Sequence, residues 1–471
     1  MLYSHVWAET RETGSKSSLS SPWYPAITEY AIPLYGINAT ERDGEIKILA
    51  AQLVIKGKAV LTWQTDLSTG GDYEVVLAYS AHQPGAQVEV VSGESEITDT
   101  LHKTEGVYSE TSQWYLNNFE RKLLKGTLRL SQGFNTVSFH LSGPPPDSEM
   151  VFYALELNPL GEKDKIIAEI RKARQGRPNM DWFAQAGYGV MFHWTSQCVS
   201  RQGEPESYQD AVVSFDVDSF VEMVKETGAV YVIFTANHAD PHFPAPLQSW
   251  EEIHPGWTTQ RDLVAELADK LNAQDIKLML YFATHVYGKF EEVDSPEFFK
   301  INHKLISEVG ARYGEKVAGY WFDGWYQCYE RHPHFPFESF YQACKIGYPE
   351  RMVALNSWLY PIVSEWQDYW AAEIYSLGVP PLQRIIKTGP GKGLQYHALL
   401  AMNGNWVHTQ RDREIAPPVL NKGSLIEFIK ACKDKGPVTI NLCIYQDGTI
   451  GEKALSLMRE VRRHVRLNHG D

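Results

Sequence analysis

The chain has 471 residues, 43% of them hydrophobic and 22% charged, which excludes wholesale disorder and leaves room for two to four domains of ordinary size. Its 35 Gly and 25 Pro residues are near average usage, so collagen-like and low-complexity classes are excluded. A formal net charge of -14 lacks the basic footprint that a nucleic-acid partner requires.

The first twenty residues are rich in Ser, Thr and Glu and carry no basic stretch followed by an apolar one. No signal peptide is therefore expected, which makes a cytoplasmic location the default and a periplasmic or secreted one the alternative if a leader has been trimmed. From about Trp23 to Pro159 the pattern is that of strands. Tyr73, Val75, Leu77 and Tyr79 alternate with Glu74, Val76 and Ala78 after the turn signal Gly70-Gly71-Asp72, and Val137, Phe139 and Leu141 alternate with Thr136, Ser138 and His140 after Gly133. Period-two runs between Gly, Ser and Asp clusters predict an antiparallel β-sandwich over residues 1–160, with Pro144-Pro145-Pro146 as a loop between its last strands.

The pattern changes near Gly161. Ile166, Ile167, Ile170 and Ala173 fall at helical spacing among Lys, Glu and Arg, which predicts an amphipathic connecting helix within 161–180. Beyond it, strand-like runs (Gly187–Trp194, Ala229–Thr235, Ile276–Phe282, Val317–Phe322, Met352–Asn356, Val438–Leu442) are interleaved with helical ones (Phe215–Thr227, Thr259–Gln274, Pro296–Tyr313). Apolar strands with helical crossovers predict a parallel sheet of the (β/α) barrel type, TIM-like, over 181–471. The basic run Arg459, Arg462, Arg463, Arg466 reads as the solvated face of a last helix. Five scattered cysteines without CxxC spacing predict reduced thiols, and no apolar run is long enough to span a membrane.

In a barrel of this kind reactive groups belong at the C-terminal strand ends. Those ends read His193-Trp194, then Asn237-His238-Ala239-Asp240, then Tyr281 with His285, then Trp321-Phe322-Asp323-Gly324, then Asn356. Asp323 is the sharpest of these signals, its alternative being a cap on the following segment. Glycoside hydrolysis needs two carboxylates, one ionised and one protonated. Glu365, Asp368 and Glu373 are the available partners. His238, Asp240 and His242 have a spacing that could hold a divalent cation, but no further ligand cluster recurs, so neither a metal nor any other cofactor is expected. An aromatic share of 12% leans towards stacking on sugar faces.

The series Met191-Phe-His193-Trp194, Tyr231 to Asp240, Trp321-Phe-Asp323-Gly324, Gln367-Asp368-Tyr-Trp-Ala-Ala-Glu373, Asn441-Leu442 and Gln446-Asp447-Gly448-Thr-Ile450 resembles the α-L-fucosidases of glycoside hydrolase family 29. The resemblance covers roughly 181–460. It implies a retaining exo-glycoside hydrolase with Asp323 as nucleophile and Glu373 as acid/base, Glu365 being the reserve. It further implies a sugar pocket lined by His193, His238, Tyr281, Trp321 and Trp406, to which the strand-end reading adds Trp194, His242, His285 and Asn356, with Trp325 close by.

Two departures bear on the substrate. The family's second adjacent histidine is Ala239 here, with His242 nearby, and its pocket arginine is replaced in Asn356-Ser357-Trp358. The expected substrates are therefore α-L-fucosides or close relatives, such as L-galactose or modified fucose, within oligo- or polysaccharides. The N-terminal unit resembles a jelly-roll carbohydrate-binding module through Gly71-Asp-Tyr73-Glu-Val75 and Leu128-Arg-Leu130-Ser-Gln-Gly133-Phe-Asn135. The alternative to an enzyme is a non-catalytic carbohydrate-binding protein on a degenerate hydrolase barrel, and the sequence leaves the oligomeric state open.

Overall fold

A computed structural model of the chain describes residues 28–49, 52–104, 119–143, 148–238, 240–284, 293–325, 331–332, 334–357, 362–374, 377, 380–387 and 391–466. The expected loop at Pro144-Pro145-Pro146, His285 and Trp358 lie outside the described residues.

Among the described residues the N-terminal part is built of β-strands, with one short 3-10 turn at Gly36–Asn38. Its strands are β1 (Ile32–Tyr35), β2 (Glu41–Leu49), β3 (Gln52–Leu67), β4 (Gly71–Ala81), β5 (Gln87–Ser92), β6 (Ser95–Thr100), β7 (Glu120–Leu123), β8 (Leu128–Leu130), β9 (Gly133–Ser142) and β10 (Glu149–Pro159). They form one antiparallel sheet whose main path runs β6-β5-β9-β3-β10-β4-β7. The long β3 pairs with β2, β9 and β10, so the sheet curls into two layers around its own core. Tyr73, Val75, Leu77, Tyr79, Val137, Phe139 and Leu141 all point into that core, as their alternation predicts. On β4 the opposite face is buried as well. Ala78, with Val151, Tyr153 and Ala154, packs in one cluster with Ala173 of the connecting helix Lys163–Gln175 and with the C-terminal part.

Among the described residues that C-terminal part holds seven parallel strands: β11 (Tyr188–Phe192), β12 (Tyr231–Asn237), β13 (Lys277–Ala283), β14 (Val317–Asp323), β15 (Met352–Leu355), β16 (Ala398–Ala401) and β17 (Val438–Asn441). Their order is β15-β14-β13-β12-β11-β17-β16. Strands β11 to β14 are buried almost throughout because helices cover one face and the sheet's own interior fills the other. The segment 368–374 lies against both edges of this sheet. Asp368 donates its main-chain N–H to Val353 O on β15 at 2.7 Å, and Ile374 donates to Leu399 O on β16 at 2.9 Å.

Each predicted strand run of the C-terminal part overlaps an observed one, with ends displaced by no more than two residues. Two of the three predicted helices start later than their patterns. Val217–Thr227 begins after Asp216, and Leu263–Asn272 after Asp262, because each Asp side chain accepts the main-chain N–H three residues on and so fixes the first turn. Ser295–Tyr313 is capped by Asp294 in the same way. The last helix, Glu452–Val465, keeps Arg459 and Arg463 in surface ion pairs. Arg466 departs from the expected solvated face. Its guanidinium lies 4.4 Å from the Tyr188 ring and donates to the carbonyls of Ala186, Tyr188 and Gly228 below β11. Cys198, Cys344, Cys432 and Cys443 are free and buried.

Candidate active site

The interior of the parallel sheet is layered from bottom to top. Phe183, on the short helix Asp181–Gln185, plugs the lower end beneath Tyr231, Met279 and Tyr369, and Tyr281, Trp321 and Trp406 lie in the same packed column. At the upper strand ends the side chains turn polar. The parallel register sets Tyr281 beside Trp321 and Ala283 beside Asp323, so residues distant in sequence reach one level.

Asp323 closes β14 and collects three donors. Tyr281 Oη donates to Oδ2 at 2.6 Å, while Gly324 N and Asn356 Nδ2 donate to Oδ1 at 2.8 and 2.7 Å. Gly324 holds φ at 77°, where a side chain is strained. Asn356, just past β15, is held by its main-chain N–H on Phe322 O at 2.7 Å. Its amide nitrogen also donates to Glu373 Oε1 at 2.7 Å. Asp323 Oδ1 and Glu373 Oε1 therefore share one amide group and can be no farther apart than twice that distance.

Glu373 reaches this point because segment 368–374 is pinned to β16, Leu399 N donating to Ala372 O at 2.8 Å. Desolvation raises the Glu373 pKa to about 8, the Asp323 charge adds to the rise, and the Asn356 hydrogen bond opposes it. The pair thus consists of Asp323, whose carboxyl group is held by three donors, and Glu373, whose burial favours the protonated form.

Around the pair stand His193, His238 and Trp406. The His193 ring is 5.4 Å from His238, 4.9 Å from Tyr281 and 5.5 Å from Trp406, centroid to centroid. Tyr281 stacks on Trp321 at 5.2 Å, and the Trp321 indole N–H donates to Ala371 O at 3.3 Å. Burial, aided by His238, pushes the His193 pKa down to about 3, so the ring is neutral. His238 follows a bulge in β12 between Thr235 and Asn237, an irregularity that re-aims the chain at the strand end.

Other expected residues lie elsewhere. Trp194 turns away from the cluster, its indole N–H donating to Gln446 O at 2.9 Å and its ring packing on Tyr208, Phe215 and Phe234. Trp325 is buried among Phe335, Phe337 and Phe340. His242 sits between Tyr208 and Trp257 and bonds through Nδ1 to Asp240 Oδ1 at 2.8 Å. Burial alone would raise the pKa of Asp240, but hydrogen bonds from His242 and Ser196 outweigh it and lower the pKa. Among the described residues no group of three or more His, Cys, Asp and Glu side chains is placed to hold a metal ion.

Glu365, the reserve acid, is paired with Arg174 at 3.0 Å and Arg177 at 2.7 Å on the sheet's outer side. Asp368 is taken by Tyr341, Lys345 and the N–H of Val353. Among the described residues, Glu373 alone of the three candidate partners shares a hydrogen-bond donor with Asp323. Asn441 has a part that the sequence did not reveal. At the end of β17 it meets His193 Nδ1 through Oδ1 at 2.7 Å, and a lone Asn after three apolar-flanked positions carries no signal of such a contact.

A family described as Alpha-L-fucosidase matches residues 208–470, more than half of the chain. A "Putative alpha-L-fucosidase" of Caenorhabditis elegans is 28% identical over 190 residues, 31% of this chain and 38% of its own length. A "Tissue alpha-L-fucosidase" of Homo sapiens is 24% identical over 190 residues, 32% of this chain and 41% of its own. The chain thus spans about two fifths of the length of the curated relatives it matches. An alpha-L-fucosidase isoenzyme 1 from Paenibacillus thiaminolyticus is similar at a TM-score of 0.48 and 18% identity, over 63% of this chain and 76% of that one.

Proposed function

Because the chain belongs to the α-L-fucosidase family, glycoside hydrolase family 29, we propose that it is a retaining exo-glycoside hydrolase of α-L-fucosides or closely related sugars. Asp323 attacks the anomeric carbon as Glu373 protonates the departing glycosidic oxygen, giving a covalent glycosyl ester. Glu373, now ionised, takes a proton from water, whose oxygen displaces Asp323 and leaves the sugar with its configuration retained.

The shared Asn356 amide carries this reading. It holds one oxygen of each carboxyl group within twice 2.7 Å of the other, a closeness that supports the short separation of about 5 to 5.5 Å that goes with retention over the roughly 6.5 to 9.5 Å that inversion needs. Trp406 and the Tyr281 ring offer apolar faces to the sugar, and His193 and His238 offer polar edges. The sheet is read as a closed barrel, with segment 368–374 filling the gap between β15 and β16.

The test is a panel of aryl α-L-fucoside, α-L-galactoside and β-D-galactoside. Turnover of the first or second, abolished in Asp323→Ala, is expected. Turnover of none, together with binding to a glycan array, would favour the alternative of a non-catalytic binding protein and contradict the hydrolase.

The N-terminal sandwich is read as a glycan-binding domain. Phe134 is 82% exposed at the start of β9 and borders a cleft of about 780 Å³ with Ser95, Arg129, Ser131 and Thr136. Its turn is built: Asn135 accepts from Ser131 N at 3.0 Å and donates to the Ser131 and Gly133 carbonyls at 2.8 Å. An exposed ring beside hydroxyl and guanidinium groups suits a sugar, which has an apolar face and a polar edge.

A further inference from the structure

We infer that Asn441 is a positioning residue that holds His193 as the tautomer with its proton on Nδ1, so that Nε2 presents a lone pair to a hydroxyl group of the bound sugar. The inference rests on the glycoside-binding reading of the same pocket and names the polarity of one of its contacts.

Asn441 is fully buried at the end of β17, where pairing with Met191 of β11 and Ala401 of β16 fixes its main chain. Its Nδ2 faces two main-chain carbonyls, Trp406 O at 3.0 Å and Asn405 O at 3.4 Å. Carbonyl oxygens only accept, so turning the amide round would set oxygen against oxygen twice. Oδ1 is thereby committed to the other side, where it meets His193 Nδ1 at 2.7 Å. An amide oxygen also only accepts, which requires the proton of that bond to sit on Nδ1.

A neutral ring with Nδ1–H has an unprotonated Nε2. His193 is 4% exposed, and burial together with the neighbouring His238 opposes its charging, while the Asp323 carboxylate and Asn441 favour it without prevailing. Tyr281 and Trp406 complete its surroundings. Among the described residues Nε2 has no protein hydrogen-bond partner, so the atom is available to a ligand. Only a donor satisfies it. A sugar whose hydroxyl at that position is methylated or removed leaves a buried acceptor unpaired, and such a site rejects the analogue strongly. The same amide also holds the main chain that carries Trp406, so one side chain sets both the hydrogen-bonding edge and the aromatic wall.

The direct measurement is nitrogen NMR of the full chain with labelled histidine, without substrate, the His193 signals being those lost in His193→Gln. The expected result is a pyrrole-type Nδ1 and a pyridine-type Nε2 that do not titrate between pH 5 and pH 8, consistent with a pKa driven down to about 3. A proton on Nε2, or a charged ring in that range, would overturn the inference. The spectrum needs no turnover, so inactivity on every fucoside would contradict the proposed reaction and leave this result standing. Asn441→Asp gives a second reading. Its carboxylate favours protonated His193, so the ratio of variant to parent KM should grow as pH falls, by about tenfold for one lost hydrogen bond. A ratio that is flat with pH would mean that Asn441 only supports the fold, and would also overturn the inference.

Discussion

The amide nitrogen of Asn356 touches both carboxyl groups at 2.7 Å, and most of the chemistry follows from that sharing. The hydrogen bond lowers the Glu373 pKa against the larger upward push of desolvation and of the Asp323 charge. An acid that must be protonated in the free enzyme loses function as pH rises through its pKa, so kcat/KM should fall on the basic side near pH 8. In Asn356→Ala the opposing hydrogen bond is gone and the Glu373 pKa goes higher. The basic limb of kcat/KM against pH should move to higher pH, while its plateau drops roughly 10- to 100-fold, the cost of a lost bond to a charged group. A pH–rate series on an aryl glycoside checks both. The sequence disclosed Asp323 by its place at the end of an apolar run, and the matching motif pointed to Glu373. It placed Asn356 in the sugar pocket and could not show the bridge, which depends on a strand end and a non-strand segment meeting across the sheet.

At the scale of elements, the connecting helix Lys163–Gln175 is tied to the parallel sheet through Glu365, whose carboxylate is buried against Arg174 and Arg177. Glu365→Gln should lower stability by up to about 3 kcal/mol, the low end for a broken buried pair because Arg174 remains partly in water. It should leave the basic limb of the pH–rate profile in place, since Glu365 does not touch Asp323. Thermal unfolding and the pH profile of the one variant separate the two roles. Glu365 looked like an acid in the sequence because spacing shows proximity along the chain and is blind to which face of the sheet a side chain leaves. Strands were legible wherever apolar runs were long. Strand β16 was not, since its four residues Ala398–Ala401 lie among other apolar positions without turn signals. Trp194 and Trp325 show the same limit for aromatics: composition counts the rings, and packing decides which of them meet a pocket.

For the whole molecule, the outer face of β4 and β10 shares a packed cluster with the connecting helix and the C-terminal part, so the two sheets are joined by apolar contact as well as by the chain. The sandwich's own cleft, beside Phe134, lies away from that shared face. Phe134→Ala should therefore leave kcat on a small aryl glycoside unchanged and weaken retention on an immobilised polysaccharide substrate. Equal retention of parent and variant would remove Phe134 from glycan binding. The central claim, that Asp323 and Glu373 act as a retaining pair, is tested most directly by proton NMR of the first sugar released from whichever aryl α-L-glycoside is turned over. The α anomer should appear first and the β anomer only later, by mutarotation. First appearance of the β anomer would contradict the account.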